Sequence, residues 1–260
     1  MNRIQQLFTT KNKRVLSVYY TAGFPSLSDT LAIAIKLEEA GVDMLEIGIP
    51  SSDPIADGTT IQQSSACALS NGMSIRLLFE QLADLRKYVR IPVLLMGYLN
   101  PVMQYGIENF CMKAKEVGVD GVILPDLPLF EYEHIYKSCF EQYGLSNVFL
   151  INPRTEEERI RKIDELSNGF IYMLSSNATT GNSLEQTADL ITYYERVKGY
   201  RLLNPLMIGF GINTHQQFNR ACEYANGAII GSAFIRFLNS YPTDYGDKIL
   251  GWVESIVTEQ

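Results

Sequence analysis

Eight short runs of apolar, β-branched or aromatic residues recur near positions 14–20, 43–49, 92–98, 120–124, 147–151, 169–174, 205–210 and 227–231, with helical periodicity between them. This alternation constrains the fold more than any single motif does. A strand, a helix and a second strand make a βαβ unit, whose right-handed crossover forces the two strands parallel. Eight such units in 260 residues match a closed α/β barrel. The helical stretches include Leu31, Ile35, Leu37 and Ala40, then Leu77, Leu78, Leu82 and Leu85, with further runs over 106–117, 129–143, 155–166, 183–198 and 214–224 and a last amphipathic run from Ile249 to Val257. The rival is an open doubly wound sheet. Against it, Thr21-Ala22-Gly23-Phe24-Pro25 follows the first strand where that fold carries G-x-G-x-x-G, and no G-x-x-x-x-G-K-[ST] occurs. The expectation is one domain over residues 1–260, a single (β/α)8 TIM barrel of the α/β class, with an extra N-terminal helix around Ile4–Phe8 plugging the bottom.

Composition narrows the function. With 46% hydrophobic and 20% charged residues the chain can bury a sizeable core. Twenty-two basic against 29 acidic residues give a formal charge of −7 with no Lys/Arg-rich block, so nucleic acid and anionic membrane are not expected partners. No stretch approaches the roughly 20 apolar residues of a membrane span, and Met1–Asn12 does not read as a signal peptide. A cytoplasmic protein is expected. Cys67, Cys111, Cys139 and Cys222 lie far apart without a C-x-x-C pair, as reduced, mostly buried thiols do.

A barrel places reactive groups at the C-terminal ends of its strands and in the loops that follow. In Asp43-Met44-Leu45-Glu46-Ile47-Gly48-Ile49-Pro50 the side chains alternate, so Leu45, Ile47 and Ile49 face the helices while Glu46 points inward with Met44 and Gly48. An inward carboxyl is costly to ionise and its pKa rises, the setting a proton-transferring group needs. The alternative is a structural glutamate in an interior hydrogen-bond network. The next loop, Pro50-Ser51-Ser52-Asp53-Pro54-Ile55-Ala56-Asp57-Gly58, adds two carboxylates: Asp53 before proline as a turn organiser, and Asp57 as either a helix N-terminal residue or a functional group.

Glycines mark a second site. Gly209-Phe210-Gly211 follows the seventh strand, and Gly231-Ser232-Ala233 ends the eighth before a segment that can be helical. Barrels often bind phosphate there, because glycine lets N–H groups approach an anion and a helix N-terminus favours negative charge. Gly211, Gly231 and Ser232 are the candidates. The polar stretch Ser175–Ser183 after the sixth strand has the composition of a lid, with Gly181 as a further donor. No lysine lies in a strand or the loop after it, which leaves a Schiff-base mechanism without a nucleophile, and His134 and His215 sit on helices as surface residues too sparse for a metal site. A carbon–carbon cleavage at such a site would have to use acid/base groups alone, on a substrate that supplies its own electron sink.

Leu45-Glu46-Ile47-Gly48-Ile49-Pro50, Ser52-Asp53-Pro54-Ile55-Ala56-Asp57-Gly58 and Thr60-Ile61-Gln62 closely resemble the signature of the tryptophan synthase α chain family. The likeness extends through Thr21-Ala22-Gly23, Gly97-Tyr98-Leu99-Asn100-Pro101, Leu124-Pro125-Asp126-Leu127-Pro128, Thr180-Gly181, Gly209-Phe210-Gly211-Ile212 and Gly231-Ser232-Ala233. The resemblance implies a lyase that splits indole-3-glycerol phosphate into indole and glyceraldehyde-3-phosphate, with Glu46 as general acid/base and Asp57 holding the indole N–H. It places the phosphate on Gly181, Gly211, Gly231 and Ser232, the indole among Tyr19, Met96, Ile123, Tyr172, Phe210 and Ile229, Tyr98 beside the carboxyls, and Thr180 as the lid residue that closes onto Asp57. It implies no cofactor or metal in this chain, and a β chain partner, itself carrying PLP, in an α2β2 assembly reached through Pro50–Gly58, Asn100 and Asp126–Pro128. Ser51, Thr59, Ser176 and Ala178-Thr179 depart from the family's usual aromatic, proline, arginine and Gly-Val, all in the two loops that close the site. The competing readings are another phosphate-binding barrel enzyme, which calls for a catalytic lysine or a different acid pair, and a non-catalytic allosteric subunit for a β partner.

Overall fold

The computed structural model describes residues 2–175 and 184–259. Its strands are β1 Val15–Thr21, β2 Met44–Gly48, β3 Val93–Met96, β4 Gly121–Ile123, β5 Ser146–Ile151, β6 Ile171–Leu174, β7 Leu206–Gly209 and β8 Gly227–Ile230. Each pairs in parallel with the next, and β8 returns to β1, with Ser17 opposite Ile229, so the sheet closes as an eight-stranded (β/α)8 barrel. All eight coincide with the apolar runs expected from sequence.

Alternation along the strands builds two apolar layers. Met44, Leu94, Ile123, Val148, Tyr172, Met207 and Ile229 fill the barrel interior, while Leu45, Ile47, Val93, Leu95 and Val122 pack outward against the helices. Register carries this through the sheet: Glu46 stands opposite Tyr19 on one side and Leu94 on the other. A slip of one residue would turn Glu46 outward and Leu45 or Ile47 inward.

The bottom is closed by the helix Arg3–Thr10. Asn2 starts it with a capping box, its side chain accepting from the Gln5 N–H at 3.1 Å while the Gln5 side chain accepts from the Asn2 N–H. Ile4 is fully buried and, with Phe8, joins the interior cluster. Gly121 and Gly169 leave it room: a Cβ at Gly121 would lie 3.1 Å from the Ile4 Cδ1. Arg3 reaches Asp120 at 3.0 Å and Arg86 reaches it at 2.6 Å, while the Val93 N–H donates to the same carboxylate at 2.9 Å.

Three helices go beyond the sequence expectation. Thr59–Ser70 follows its N-cap Gly58, Leu99–Tyr105 lies between the strand run near 92–98 and the helical run over 106–117, and the segment after β8, which the sequence allowed to be helical, is a full helix, Ser232–Ser240. Pro101 masks the second in sequence, although a first-turn proline needs no N–H partner. The run expected over 129–143 contains a π-helical stretch, Tyr132–Tyr136. His215 is not a surface residue: its Nδ1 lies 2.8 Å from the Ile256 carbonyl and Asn219 sits 2.6 Å from its Nε2, tying its helix to the C-terminal one. Of the four cysteines, all free, Cys111 is buried and the other three are half-buried. Among the described residues no helix is long and apolar enough to cross a membrane.

Candidate active site

Glu46 sits in the middle of β2 and points into the barrel with no exposed surface. The Ser17 hydroxyl, on β1, donates to its Oε1 at 2.9 Å, and among the described residues Oε2 has no hydrogen-bond partner. Burial pushes its pKa up to about 8, the Ser17 bond opposing. A structural glutamate would have both oxygens satisfied. Glu46 does not: its Oε2 is buried without a partner among the described residues.

Asp57 comes from the loop between β2 and the helix Thr59–Ser70. It does not cap that helix: Gly58 is the N-cap, without a side-chain bond. The Tyr98 hydroxyl, from the turn after β3, donates instead to the Asp57 Oδ2 at 3.0 Å and accepts from the Ala56 N–H at 3.0 Å. Gln62 braces the loop from the helix, donating to the Asp57 carbonyl at 2.9 Å. Burial pushes the Asp57 pKa up to about 6, the Tyr98 bond opposing. Asp53 organises the turn through its backbone, as expected: its carbonyl accepts from the Ile55 N–H at 3.0 Å and its N–H donates to the Ser51 hydroxyl at 3.1 Å, while its side chain accepts from the Ser52 hydroxyl at 2.7 Å. The two carboxyls act on the same two phenols, Tyr19 and Tyr172, and burial pushes their pKa values to different heights, Glu46 above Asp57.

Of the other expected site residues, Tyr19, Tyr98, Ile123, Tyr172 and Ile229 are buried and Met96 and Phe210 half-buried. Tyr172 and Phe210 meet edge to face, centroids 6.4 Å apart. The hydroxyl ends of Tyr19 and Tyr172 lie over Gly48 and Gly209, in space that a Cβ on either glycine would fill. The cleft lined by Tyr19, Ile49, Asp57, Met96, Gly97, Tyr98 and Pro125 holds about 10 Å³, roughly one water. Ile49, Gly97 and Pro125 were not singled out from the sequence, since their only signal is position beside residues that were. A wider depression of about 530 Å³ lies outside the barrel between the helix Thr30–Glu39 and residues 242–246, away from both carboxyls. Chemistry rather than size locates the site.

Phe210 and Gly211 both have left-handed backbone, φ 73° and 75°. For phenylalanine that conformation is strained. Gly231 is the N-cap of the helix Ser232–Ser240 and offers no side-chain cap, so the first-turn N–H groups are left for another acceptor. A Cβ at Gly231 would lie 3.2 Å from the Tyr19 Cδ1, which puts this helix end against the same ring that reaches Gly48. Gly211, Gly231 and Ser232 therefore gather at the mouth near Tyr19 and Phe210. Thr180, Gly181, Ser176 and Ala178-Thr179 lie outside the described residues. Among those described, no group of three His, Cys, Asp or Glu could hold a metal ion.

The comparisons with known proteins agree with this geometry. The sequence profile of the family described as tryptophan synthase alpha chain matches residues 5–250. The tryptophan synthase alpha chain of Flavobacterium psychrophilum is 55% identical over 238 residues, 92% of this chain and 94% of that one. That of Phocaeicola vulgatus is 51% identical over 253 residues, 96% of this chain and 98% of that one. Among solved structures, tryptophan synthase subunit alpha from Legionella pneumophila superposes with a TM-score of 0.88 at 33% identity, covering 99% of this chain and 97% of that one. Fold, sequence and the inward carboxyl of β2 coincide, and the chain belongs to the tryptophan synthase alpha chain family.

Proposed function

We propose that Glu46 and Asp57 together carry the family's reaction, the retro-aldol cleavage of indole-3-glycerol phosphate to indole and glyceraldehyde-3-phosphate. The observation that carries this reading is the split between the carboxyls: Glu46 held protonated to about pH 8 and Asp57 ionised above about pH 6. Glu46 gives its proton to indole C3, which turns the ring into an iminium electron sink. Asp57 accepts the indole N–H and balances the positive charge that develops there. Glu46, now a carboxylate, takes the proton of the adjacent carbinol hydroxyl; the bond from C3 to that carbon breaks, its electrons return to the ring, and an aldehyde forms. The proton account closes on Glu46.

Tyr19, Met96, Ile123, Tyr172, Phe210 and Ile229 form the indole pocket. Gly211, Gly231 and Ser232, with Gly181, take the phosphate on backbone N–H groups. Only proton transfers are needed, so this chain requires no cofactor of its own, and PLP belongs to a β partner. A β chain docking in an α2β2 assembly is supported by apolar side chains on the rim: Ile55 is 84% exposed, Met103 49% and Phe130 67%. Asp126 ties two of these segments by accepting the Leu99 N–H at 2.9 Å.

Indole release from indole-3-glycerol phosphate, followed for the purified chain alone and with a cognate β chain, tests the reading. Glu46→Gln and Asp57→Asn should each lower kcat by at least about a thousandfold while leaving the fold and β binding intact. Near-normal activity in either variant would overturn the assignment. No indole from the unaltered chain under either condition would favour a non-catalytic subunit.

A further inference from the structure

Tyr19 carries a buried hydroxyl whose proton is poorly used. Its nearest partner is the Thr21 Oγ1 at 3.5 Å. Thr21 lies 2.6 Å from the Ser64 Oγ, and Ser64 donates to the Ile61 carbonyl at 2.9 Å. A serine has one proton, so Ser64 can only accept from Thr21, and Thr21 in turn has none left for Tyr19. The long contact is therefore a weak bond donated by Tyr19, beyond ordinary O–H···O distance, and the phenol oxygen accepts no hydrogen bond among the described residues.

The ring's placement gives that proton somewhere to go. Tyr19 pairs in register with Glu46, and its hydroxyl stands over Gly48. It shares the narrow cleft with Asp57 and Tyr98. Asp57 uses Oδ2 for Tyr98, and its Oδ1 receives no hydrogen bond among the described residues. The cleft is narrow, about 10 Å³, and Tyr19 is one of its walls.

We propose that Tyr19 is a positioning residue for the cleavage: in the substrate complex its hydroxyl leaves Thr21 and donates to the Oδ1 of Asp57, so that two phenols hold the carboxylate ionised and aimed at the indole N–H. This rests on the role of Asp57 proposed above. Among the described groups, Tyr19 from β1, Tyr98 after β3 and Tyr172 from β6 feel the charge of Asp57; Tyr19 and Tyr172 also feel Glu46 from β2, and Asp126 acts on Tyr98 from the turn after β4. Burial and the charges of Asp57 and Glu46 hold the Tyr19 phenol well above its usual range, so it stays a proton donor across the working pH. No lysine or arginine is among these groups. Among the described residues, hydroxyl groups rather than cations surround Asp57.

The test is the pH profile of kcat for the complete chain bound to a cognate β chain, with indole-3-glycerol phosphate as substrate. The kcat profile reports the bound complex, where the new bond exists, and the kcat/KM profile the free enzyme, where it does not. Tyr19→Phe keeps the ring and removes the proton. Its acidic kcat limb should move up by about half a unit to one unit, with kcat near pH 6 falling about threefold to tenfold, and with KM and the acidic limb of kcat/KM unchanged within about twofold. Thr21→Val should leave the kcat limb where it is, whereas a structural role through the hydroxyl chain would make it behave like Tyr19→Phe. Superimposable profiles for Tyr19→Phe and the unaltered chain, or a raised KM with an unmoved limb, would make Tyr19 a pocket wall and overturn the proposal. Loss of the pH 6 limb dependence on Asp57 itself, seen as an active Asp57→Asn variant, would instead remove the reading beneath it.

Discussion

With only the Ser17 hydroxyl donating to it, the Glu46 carboxyl keeps its proton to about pH 8, far above its value in an unfolded chain. That difference makes folding stability depend on pH. The folded pKa is raised, so the contribution is complete below about pH 4.5 and is lost as pH climbs through about 8, where the unfolded chain gains by ionising and the folded one cannot. Glu46→Gln removes this dependence. Relative to the unaltered chain, the variant should gain stability on the order of a few kcal/mol between pH 5 and pH 8, read from urea unfolding at the two pH values. Equal pH dependence in both proteins would mean that Glu46 ionises freely in the fold. The inward direction of Glu46 was legible from strand alternation, because a period of two needs no tertiary information. That burial raises its pKa was legible too; how far was not, since the group that moderates it lies on another strand. The pairing of Asp57 with Tyr98 was equally hidden, as two loops far apart in sequence bring them together, and the family resemblance supplied only that Tyr98 lies nearby.

Elements explain why the pocket has its shape. Two interior tyrosines lean across neighbouring strands onto glycines, Tyr19 onto Gly48 and Tyr172 onto Gly209. Gly48→Ala should push the Tyr19 ring aside, costing about 1–3 kcal/mol of stability and lowering kcat/KM for indole-3-glycerol phosphate at least about tenfold, both measurable on one preparation. Unchanged values would show that Tyr19 does not rest there. All eight strands were readable from sequence because each is short, apolar and bounded by turn residues. The helix Leu99–Tyr105 was not, because a proline near its start reads as a breaker until the first turn is seen to need no N–H partner at that position. The π-helical stretch Tyr132–Tyr136 was not either, since its residues satisfy an α-helical pattern equally well and only the backbone bonds tell the two apart.

At the scale of the whole molecule, the barrel has unlike ends. Below, Asp120, 4% exposed, gathers Arg3, Arg86 and the Val93 N–H and so joins the helix Arg3–Thr10 to the sheet and to the segment before β3. Asp120→Asn leaves two guanidinium groups without their counter-charge, and Arg86 is mostly buried. A loss of about 2–3 kcal/mol is expected in urea unfolding, with indole release by the folded protein unchanged. A variant as stable as the parent would show that helix packing alone holds the base. The plug was expected from five residues, Ile4–Phe8, while the arginines that fasten it carry no signal in a local pattern. Above, the carboxyls, the glycine-rich turns and the exposed apolar rim all share the other end. The side chains that fill its interior, with Ile4 beneath them, make the barrel a flask rather than a pipe. Whatever enters must leave by the neck it came through, so substrate and both products queue at one doorway, and a protein seated on that rim stands as gatekeeper to all three.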